Sequence, residues 1–158
     1  MNDAYHITQD TLAITPAKQI DYTTRIIEKN QTLMTRQAPL AIIKTNCLTG
    51  AASYQGRRKA ASHLVGYIHK VPLLIYERTN IYAFPTQSPT NYACSWLFAQ
   101  HILKIVRHPD TNQSTITFHN GTTLNLEEST YQLRTQLNRT IQLHYAIKHH
   151  NSHPFETV

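Results

Sequence analysis

The central stretch Ser53-Tyr54-Gln55-Gly56-Arg57-Arg58-Lys59 sets a glycine turn directly before three consecutive cations. It belongs to a longer region, residues 47–102, that contains three of the four glycines and the single tryptophan of the chain. Glycine has no Cβ and lets backbone N–H groups approach an oxyanion, and arginine adds forked N–H donors. The stretch therefore predicts a contact with phosphate.

Positive charge is concentrated in the middle of the chain. The 158 residues carry a formal net charge of +6, yet residues 1–28 are net −2, residues 29–109 net +9 and residues 110–158 net −1. No acid occurs between Lys29 and Tyr76. Such an uneven distribution predicts one basic face and favours an acidic partner such as nucleic acid. A solvated basic surface without a partner is the alternative.

The cysteines and the chain start indicate a cytoplasmic protein. Cys47 and Cys94 form no CxxC pair and have no histidine at metal-ligand spacing, so we expect two buried, reduced thiols and no metal or other cofactor. The first ten residues are polar and do not resemble a secretory signal. No apolar run reaches the length of a membrane span, so no membrane partner is expected.

Short alternating and β-branched segments predict an α+β fold with a mainly antiparallel sheet or a partly closed barrel. The segments predicted as strands are residues 12–14, 22–28, 31–35, 40–44, 71–76, 81–84, 93–98, 102–106, 114–118 and 122–126. Asn120-Gly121 predicts a type I′ turn between the last two.

Two helices are expected, a short central one and a C-terminal one. The first covers residues 57–64 after a turn at 53–56, so its cations lie in the first turn, against the helix dipole; a bound polyanion would offset this. The second covers residues 130–148 and begins with a capping box of Ser129 and Gln132. Its predicted sheet-facing stripe recurs every four residues: Leu133, Leu137, Ile141 and Tyr145. We expect one domain over residues 1–148 and a flexible tail over 149–158.

The central residues, in their order and spacing, resemble the ComK family of competence transcription factors. The resemblance is carried by Cys47-x-x-Gly50-x-x-Ser53-Tyr54-x-Gly56-Arg57-Arg58, Lys70-x-Pro72, Phe84-Pro85-Thr86-x-Ser88, Cys94-x-Trp96 and the Asn120-Gly121 hairpin with the helix after it. It covers roughly residues 20–148. The sequence departs from the family pattern at Val71, where many members have a second proline, and around Gly50, where aromatic residues are missing.

The resemblance implies a bacterial transcriptional activator of competence genes, those for DNA uptake and genetic transformation. It implies binding to paired AT-rich boxes in double-stranded promoter DNA, as a homodimer or higher oligomer, through phosphates and the minor groove. RNA polymerase and an adaptor of a Clp protease are the further partners expected. Longer members continue past the last helix, so a shortened paralogue that binds DNA without activating is one alternative.

The cations of the central block are the expected DNA contacts. The residues assigned to the site are Arg57, Arg58, Lys59, Lys70, Arg78, Tyr54 and Gly56. The first three are the principal contacts, Tyr54 is either a contact or a core residue, and Gly56 is structural. No helix-turn-helix or zinc finger is recognisable, so major-groove readout has no candidate. Cations that read a narrow A·T-rich minor groove are expected instead.

Other functions have weaker support in the sequence. Cys94 with His101 would be a nucleophile and its base, and His149-His150-x-x-His153 would be a metal site, but no surrounding motif supports either, so we expect no enzyme. Nine tyrosines and a basic sheet would also suit RNA or single-stranded nucleic acid.

Four histidines flank the basic block and add a conditional prediction. They are His63, His69, His101 and His108. If they surround the DNA-binding face, affinity should rise as the pH falls toward about 6, because histidine then gains charge.

Overall fold

The computed structural model describes residues 4–152 and has two antiparallel sheets and three helices. The predicted α+β class is confirmed. Both sheets are open, so of the two predicted architectures the sheet is correct and the barrel is not.

The larger sheet has six strands in the order β3-β2-β1-β6-β5-β4. Its strands are β1 (Thr11–Pro16), β2 (Thr24–Glu28), β3 (Thr32–Thr35), β4 (Leu73–Tyr76), β5 (Ile81–Pro85) and β6 (Trp96–Phe98). The strands predicted at residues 22–28 and 31–35 pair as the β2–β3 hairpin, and those predicted at residues 71–76 and 81–84 pair as the β4–β5 hairpin. Pairing of β1 with β6, which sets Ile14 opposite Trp96, joins them into one sheet.

The smaller sheet contains β7 (Ile102–Arg107), β8 (Ser114–Phe118) and β9 (Thr123–Leu126) in that order. The β8–β9 hairpin is confirmed, but its type I′ turn is not. Of the residues in this loop, Gly121 alone has a positive φ, of 91°, and its N–H donates to the Phe118 carbonyl at 2.9 Å. The three-residue loop is typical of a type I turn followed by a left-handed glycine.

Residues 40–44, predicted as a strand, belong to helix α1 (Pro39–Thr49). Pro39 lies at the start of the helix, where its missing N–H costs no hydrogen bond. The buried residues recur at helical spacing and face the larger sheet: Ile42, Ile43, Asn46 and Cys47. The prediction was wrong because a short β-branched run does not distinguish a strand from a buried helix.

Helix α2 (Tyr54–Val65) is the predicted central helix, but it begins three residues earlier. The predicted turn at 53–56 is instead the helix N-terminus, where the Ser53 Oγ accepts from the Gly56 N–H at 2.8 Å. This cap makes a glycine in the first turn compatible with helix. Gly66, with φ 80°, ends the helix in the left-handed conformation.

Helix α3 (Thr130–Ser152) has the predicted capping box, with the Gln132 N–H donating to Ser129 Oγ and the Ser129 N–H to Gln132 Oε1. It extends four residues past the predicted end, and residues 153–158 of the predicted tail lie outside the described part. Leu133 is buried, but Ile141 and Tyr145 are exposed, so the predicted stripe is wrong. A strict four-residue spacing drifts around a helix of 3.6 residues per turn. The buried positions follow the helical period instead: Leu133, Gln136, Thr140 and Leu143.

Three apolar clusters hold these layers together. Helix α1 packs on one face of the larger sheet around Trp96, while the smaller sheet and α3 pack on the other around Phe84. Helix α2 packs along the β4 edge, with Tyr54 in the first cluster and Ala61 against Leu143 of α3. Within residues 4–152 no helix has both the length and the apolarity needed to cross a bilayer.

Candidate nucleic-acid interface

Helices α1 and α2 follow each other directly, joined by residues 50–53. Gly50 lies against β4, where an added Cβ would come within 2.6 Å of the Ile75 carbonyl oxygen. Only glycine lets the connection approach the strand so closely. No helix-turn-helix was recognisable in the sequence, but the structure has two consecutive helices with a short glycine-containing connection.

Tyr54 lies at the centre of a cluster of cations formed by the two helices. Its buried ring has Lys44 Nζ at 5.6 Å and Arg58 Cζ at 5.8 Å from the ring centroid. Burial raises the pKa of the Tyr54 hydroxyl, and the Arg58 charge acts in the opposite direction. The ring therefore has a core edge and a face that attracts cations. We call Lys44, Arg58 and the exposed Lys59 the basic helix face.

The three consecutive cations do not share one face. Arg57 is half-buried, and its Nε lies out of contact with solvent. Burial raises the pKa of the nearby Cys47 thiol to about 11, and the charge of Arg57 acts in the opposite direction. Successive helical residues point in different directions, so Arg57 faces the core side while Lys59 faces solvent. Lys44, on α1, was not among the predicted site residues. A helix predicted over residues 40–44 would have placed Lys44 among the candidate site residues.

The basic helix face has no acid near it in sequence or among the recorded ion pairs. Neither α1 nor α2 contains Asp or Glu. Within residues 4–152 the ion pair found is that of Lys29 with Asp10, at 3.8 Å. The cations of α2 also oppose the positive end of its own dipole. This arrangement suits the binding of a polyanion better than it suits the stability of the helix.

Lys70 and Arg78 lie apart from each other. Arg78, in the β4–β5 turn, lines a groove of about 840 Å³ that also includes Gly50 and Ala51 of the helix connection. Lys70 follows the end of α2, and its groove also includes Glu127 and Glu128. Arg78 lies beside the helix connection and has one acid, Glu77, in its groove, whereas Lys70 has two acids beside it.

Helix α3 fixes the loop that carries Lys70. Gln136 Nε2 donates to the carbonyls of both Lys70 and Pro85, each at 2.8 Å. Arg139 stacks 4.2 Å from the Tyr67 ring centroid and donates to the His69 carbonyl. These bonds hold Lys70 at a left-handed φ of 50°. Lys70 thus has a defined backbone position.

The residues considered for catalysis lack activating neighbours. Cys94 is buried, and burial is the main cause that raises the pKa of its thiol, which donates to the Gln87 carbonyl. A thiol with a raised pKa is a poor nucleophile. Residues 4–149 contain no cluster of three or more His, Cys, Asp or Glu placed to hold a metal, and the side chains of His150 and His153 lie outside the described part.

The four flanking histidines do not form one group. His63 and His69 are exposed and His108 is half-buried, but His101 is buried. Burial lowers the pKa of His101 further than its hydrogen bond with the Gln9 backbone raises it. His101 therefore gains its charge at a lower pH than an unperturbed histidine does.

Comparison with known proteins gives a consistent picture. The sequence matches the family described as ComK protein over residues 2–152. It is 29% identical over 143 residues to the competence transcription factor of Bacillus subtilis (strain 168). The aligned region covers 89% of this chain and 73% of that relative. No solved structure matches the chain.

Proposed function

The chain belongs to the ComK family, and from this premise we propose that it is a DNA-binding transcriptional activator of competence genes. It acts on paired AT-rich boxes in promoter DNA. The observation that supports this most is the basic helix face, where Lys44 and Arg58 lie over the Tyr54 ring and Lys59 is exposed on the same helix as Arg58. No ion pair with a carboxylate is found for these three residues within residues 4–152. Cations of this kind supply the phosphate contacts that dominate DNA affinity.

Each predicted site residue has a proposed role. Arg58 and Lys59 contact phosphates directly, and Arg78 extends this surface. Arg57 and Tyr54 support it from the core side, and Gly56 caps the helix with Ser53. Lys70 is a secondary contact, because Glu127 and Glu128 share its groove.

Both the minor and the major groove of DNA are candidates for recognition by this protein. The family resemblance favours the minor groove, where cations recognise the narrow width of A·T-rich DNA. The α1–α2 pair favours the major groove, because the first turns of α2 carry Gln55 and Arg58, side chains that recognise base edges there. We propose the minor groove and treat the major groove as the competing result of the test below.

The remaining properties follow from the family. A transcription-factor relative implies a cytoplasmic protein without catalytic activity or cofactor. The proposed partners are a second copy of the chain, RNA polymerase and an adaptor of a Clp protease. Residues 1–148 form the proposed single domain. An RNA or single-strand binder, and a paralogue that binds DNA without activating transcription, are the competing functions.

The test is fluorescence anisotropy with three duplexes of equal length. The first carries two A·T boxes, the second replaces each A·T pair in them by inosine·cytosine, and the third by G·C. Inosine lacks the minor-groove amino group of guanine, so inosine·cytosine resembles A·T in the minor groove and G·C in the major groove.

The proposal expects similar affinity for the first two duplexes and at least about tenfold weaker binding to the third. Tight binding to the first duplex alone would assign readout to the major groove. Equal binding to all three, or preferential competition by single strands, would contradict the proposed function. A promoter-driven transcription assay with RNA polymerase then separates an activator from a paralogue that only binds.

A further inference from the structure

A groove lies between the connection of β1 to β2, the loop that precedes β6, and strand β9. It has a volume of about 840 Å³, and we call it the β9 groove. Helix α1 packs on one face of the larger sheet, whereas β9 belongs to the smaller sheet on the other face. DNA held on the basic helix face therefore leaves the β9 groove open to a different partner.

Three large apolar side chains stand at the rim of the β9 groove. Ile20 is fully exposed, Tyr92 is 92% exposed and Tyr22 is 40% exposed, and none of them belongs to the three apolar clusters of the core. A single exposed apolar residue is common on a protein surface, but three around one groove form a patch typical of a partner-binding site. Tyrosine in particular is enriched at protein–protein interfaces.

Hydrogen bonds hold the two loops that carry these side chains. The Ala17 N–H donates to the Thr23 carbonyl at 3.0 Å and closes the base of the β1–β2 connection. In the other loop, the Ala93 N–H donates to Asn91 Oδ1 at 2.9 Å, which forms a turn around Tyr92. The rim is therefore ordered before a partner binds, and this order lowers the entropic cost of binding.

Strand β9 determines the conformation of the segment that the groove accepts. It is the last strand of the smaller sheet, and within residues 4–152 no strand pairs with its outer edge. Its residues Leu124–Leu126 line the groove. An open strand edge pairs with an extended backbone, whose side chains then alternate between the groove and solvent. The edge thus favours an extended protein segment.

The charges of the groove fit a protein segment better than they fit DNA. Lys18 and Arg25 line it on the side of the β1–β2 connection, and Glu127 and Glu128 line it on the side of the segment before α3. No ion pair is found for either carboxylate within residues 4–152. The balanced charge gives DNA no net attraction, whereas a segment with an acid and a base on either side of its apolar residues is complementary to both sides.

We propose that the β9 groove binds an extended segment of RNA polymerase that carries apolar side chains between an acid and a base. The inference rests on the proposed function, in which the DNA-bound chain activates transcription. The basic helix face and the β9 groove then have separate tasks, DNA binding and polymerase contact, which substitutions can separate.

Variants at the rim test this separation. Ile20→Thr/Tyr92→Thr should bind the A·T-box duplex within about twofold of the wild type but lose at least about tenfold in promoter-driven transcription with purified RNA polymerase, because exposed tyrosines anchor such contacts. Glu127→Gln should lower transcription about threefold through loss of one surface charge pair. The matched control, Leu103→Thr/Val106→Thr, changes two exposed apolar residues of β7 outside the groove and should keep both activities.

Photo-cross-linking tests the contact directly. With purified RNA polymerase on the promoter, Tyr92→p-benzoylphenylalanine should cross-link to the polymerase and Leu103→p-benzoylphenylalanine should not. Full transcription by the rim variant, equal cross-linking from both positions, or a change of oligomeric state of the rim variant in sedimentation equilibrium would overturn the inference alone. A wild-type chain that binds A·T boxes without raising transcription would overturn both the inference and the activator function.

Discussion

Arg58 and Tyr54 lie one helical turn apart at the start of α2, with the guanidinium carbon 5.8 Å from the ring centroid. Lys44 approaches the same ring from α1 at 5.6 Å. One buried aromatic residue therefore orients cations from two helices. The proposed interface depends on this ring as much as on the charges.

Removal of the Tyr54 ring should weaken DNA binding without removing a charge. Tyr54→Leu keeps an apolar core residue but loses two cation–ring contacts, so we expect up to about tenfold weaker binding to the A·T duplex. Anisotropy titrations measure this, with thermal unfolding as a check on folding. Tyr54→Phe, which keeps the ring face, is the matched control. If both variants lose affinity equally, the hydroxyl and not the ring is responsible.

Asn46 should be the most costly polar residue to remove from α1. Its side chain accepts from the Ile7 N–H at 2.9 Å and the Tyr76 hydroxyl at 2.7 Å, and donates to the Tyr5 carbonyl at 3.0 Å. Asn46→Ala leaves these groups unpaired in a buried site and should lower the free energy of unfolding by about 3 kcal/mol. Urea denaturation measures the loss. Thr45→Ala, exposed on the same helix, should change stability little, and a similar loss in both would contradict this account.

Gln136 should hold the loop that contains Lys70. Gln136→Leu leaves the Lys70 and Pro85 carbonyls without their donor, and we expect a loss of about 2 kcal/mol in unfolding free energy. Hydrogen exchange of residues 66–72 should accelerate as well. Asn138→Leu, at an exposed position of α3, is the control and should leave both the stability and this exchange nearly unchanged. Unchanged exchange in Gln136→Leu would show that the loop is held by other contacts.

His101 should make the protein less stable in mild acid. Burial lowers the pKa of His101 below its unfolded value of 6.5, so the unfolded chain binds the proton more readily. The contribution of neutral His101 to stability is present above pH 6.5 and is lost as the pH falls below it. Urea denaturation between pH 7.5 and about 5.5 should show this decline. His101→Phe should reduce the decline and the exposed His63→Gln should not; equal declines in all three proteins would contradict the assignment.

Local patterns predicted the hairpins correctly. The alternation of β8 and β9, and the polar turn between β4 and β5, are decided within a few residues. Gly121 likewise predicted a turn between β8 and β9. The type of that turn depends on the φ of Asn120, which the Asn120-Gly121 dipeptide alone does not determine.

Longer-range packing decides the secondary structure of segments whose local sequence is compatible with more than one conformation. Residues 40–44 are compatible with either structure, and only burial against the larger sheet makes them a helix. That error concealed Lys44 and the helix pair. The three adjacent cations were also expected to act together, whereas the helix turns Arg57 toward the core and leaves Lys59 in solvent. Charge density along the chain thus predicts a basic segment but does not assign its side chains to one face of the helix.

The salt dependence of DNA affinity tests the central claim most directly. Each lost phosphate contact lowers the slope of log K against log salt by about 0.9. The Lys44→Ala/Arg58→Ala/Lys59→Ala variant should therefore lose nearly three units of slope on the A·T-box duplex, together with its preference for A·T pairs. A control with equal charge loss at exposed positions, Lys18→Ala/Lys104→Ala/Arg107→Ala, should keep both. If the control loses as much slope as the helix variant, or the helix variant binds like the wild type, the basic helix face is not the DNA-binding site.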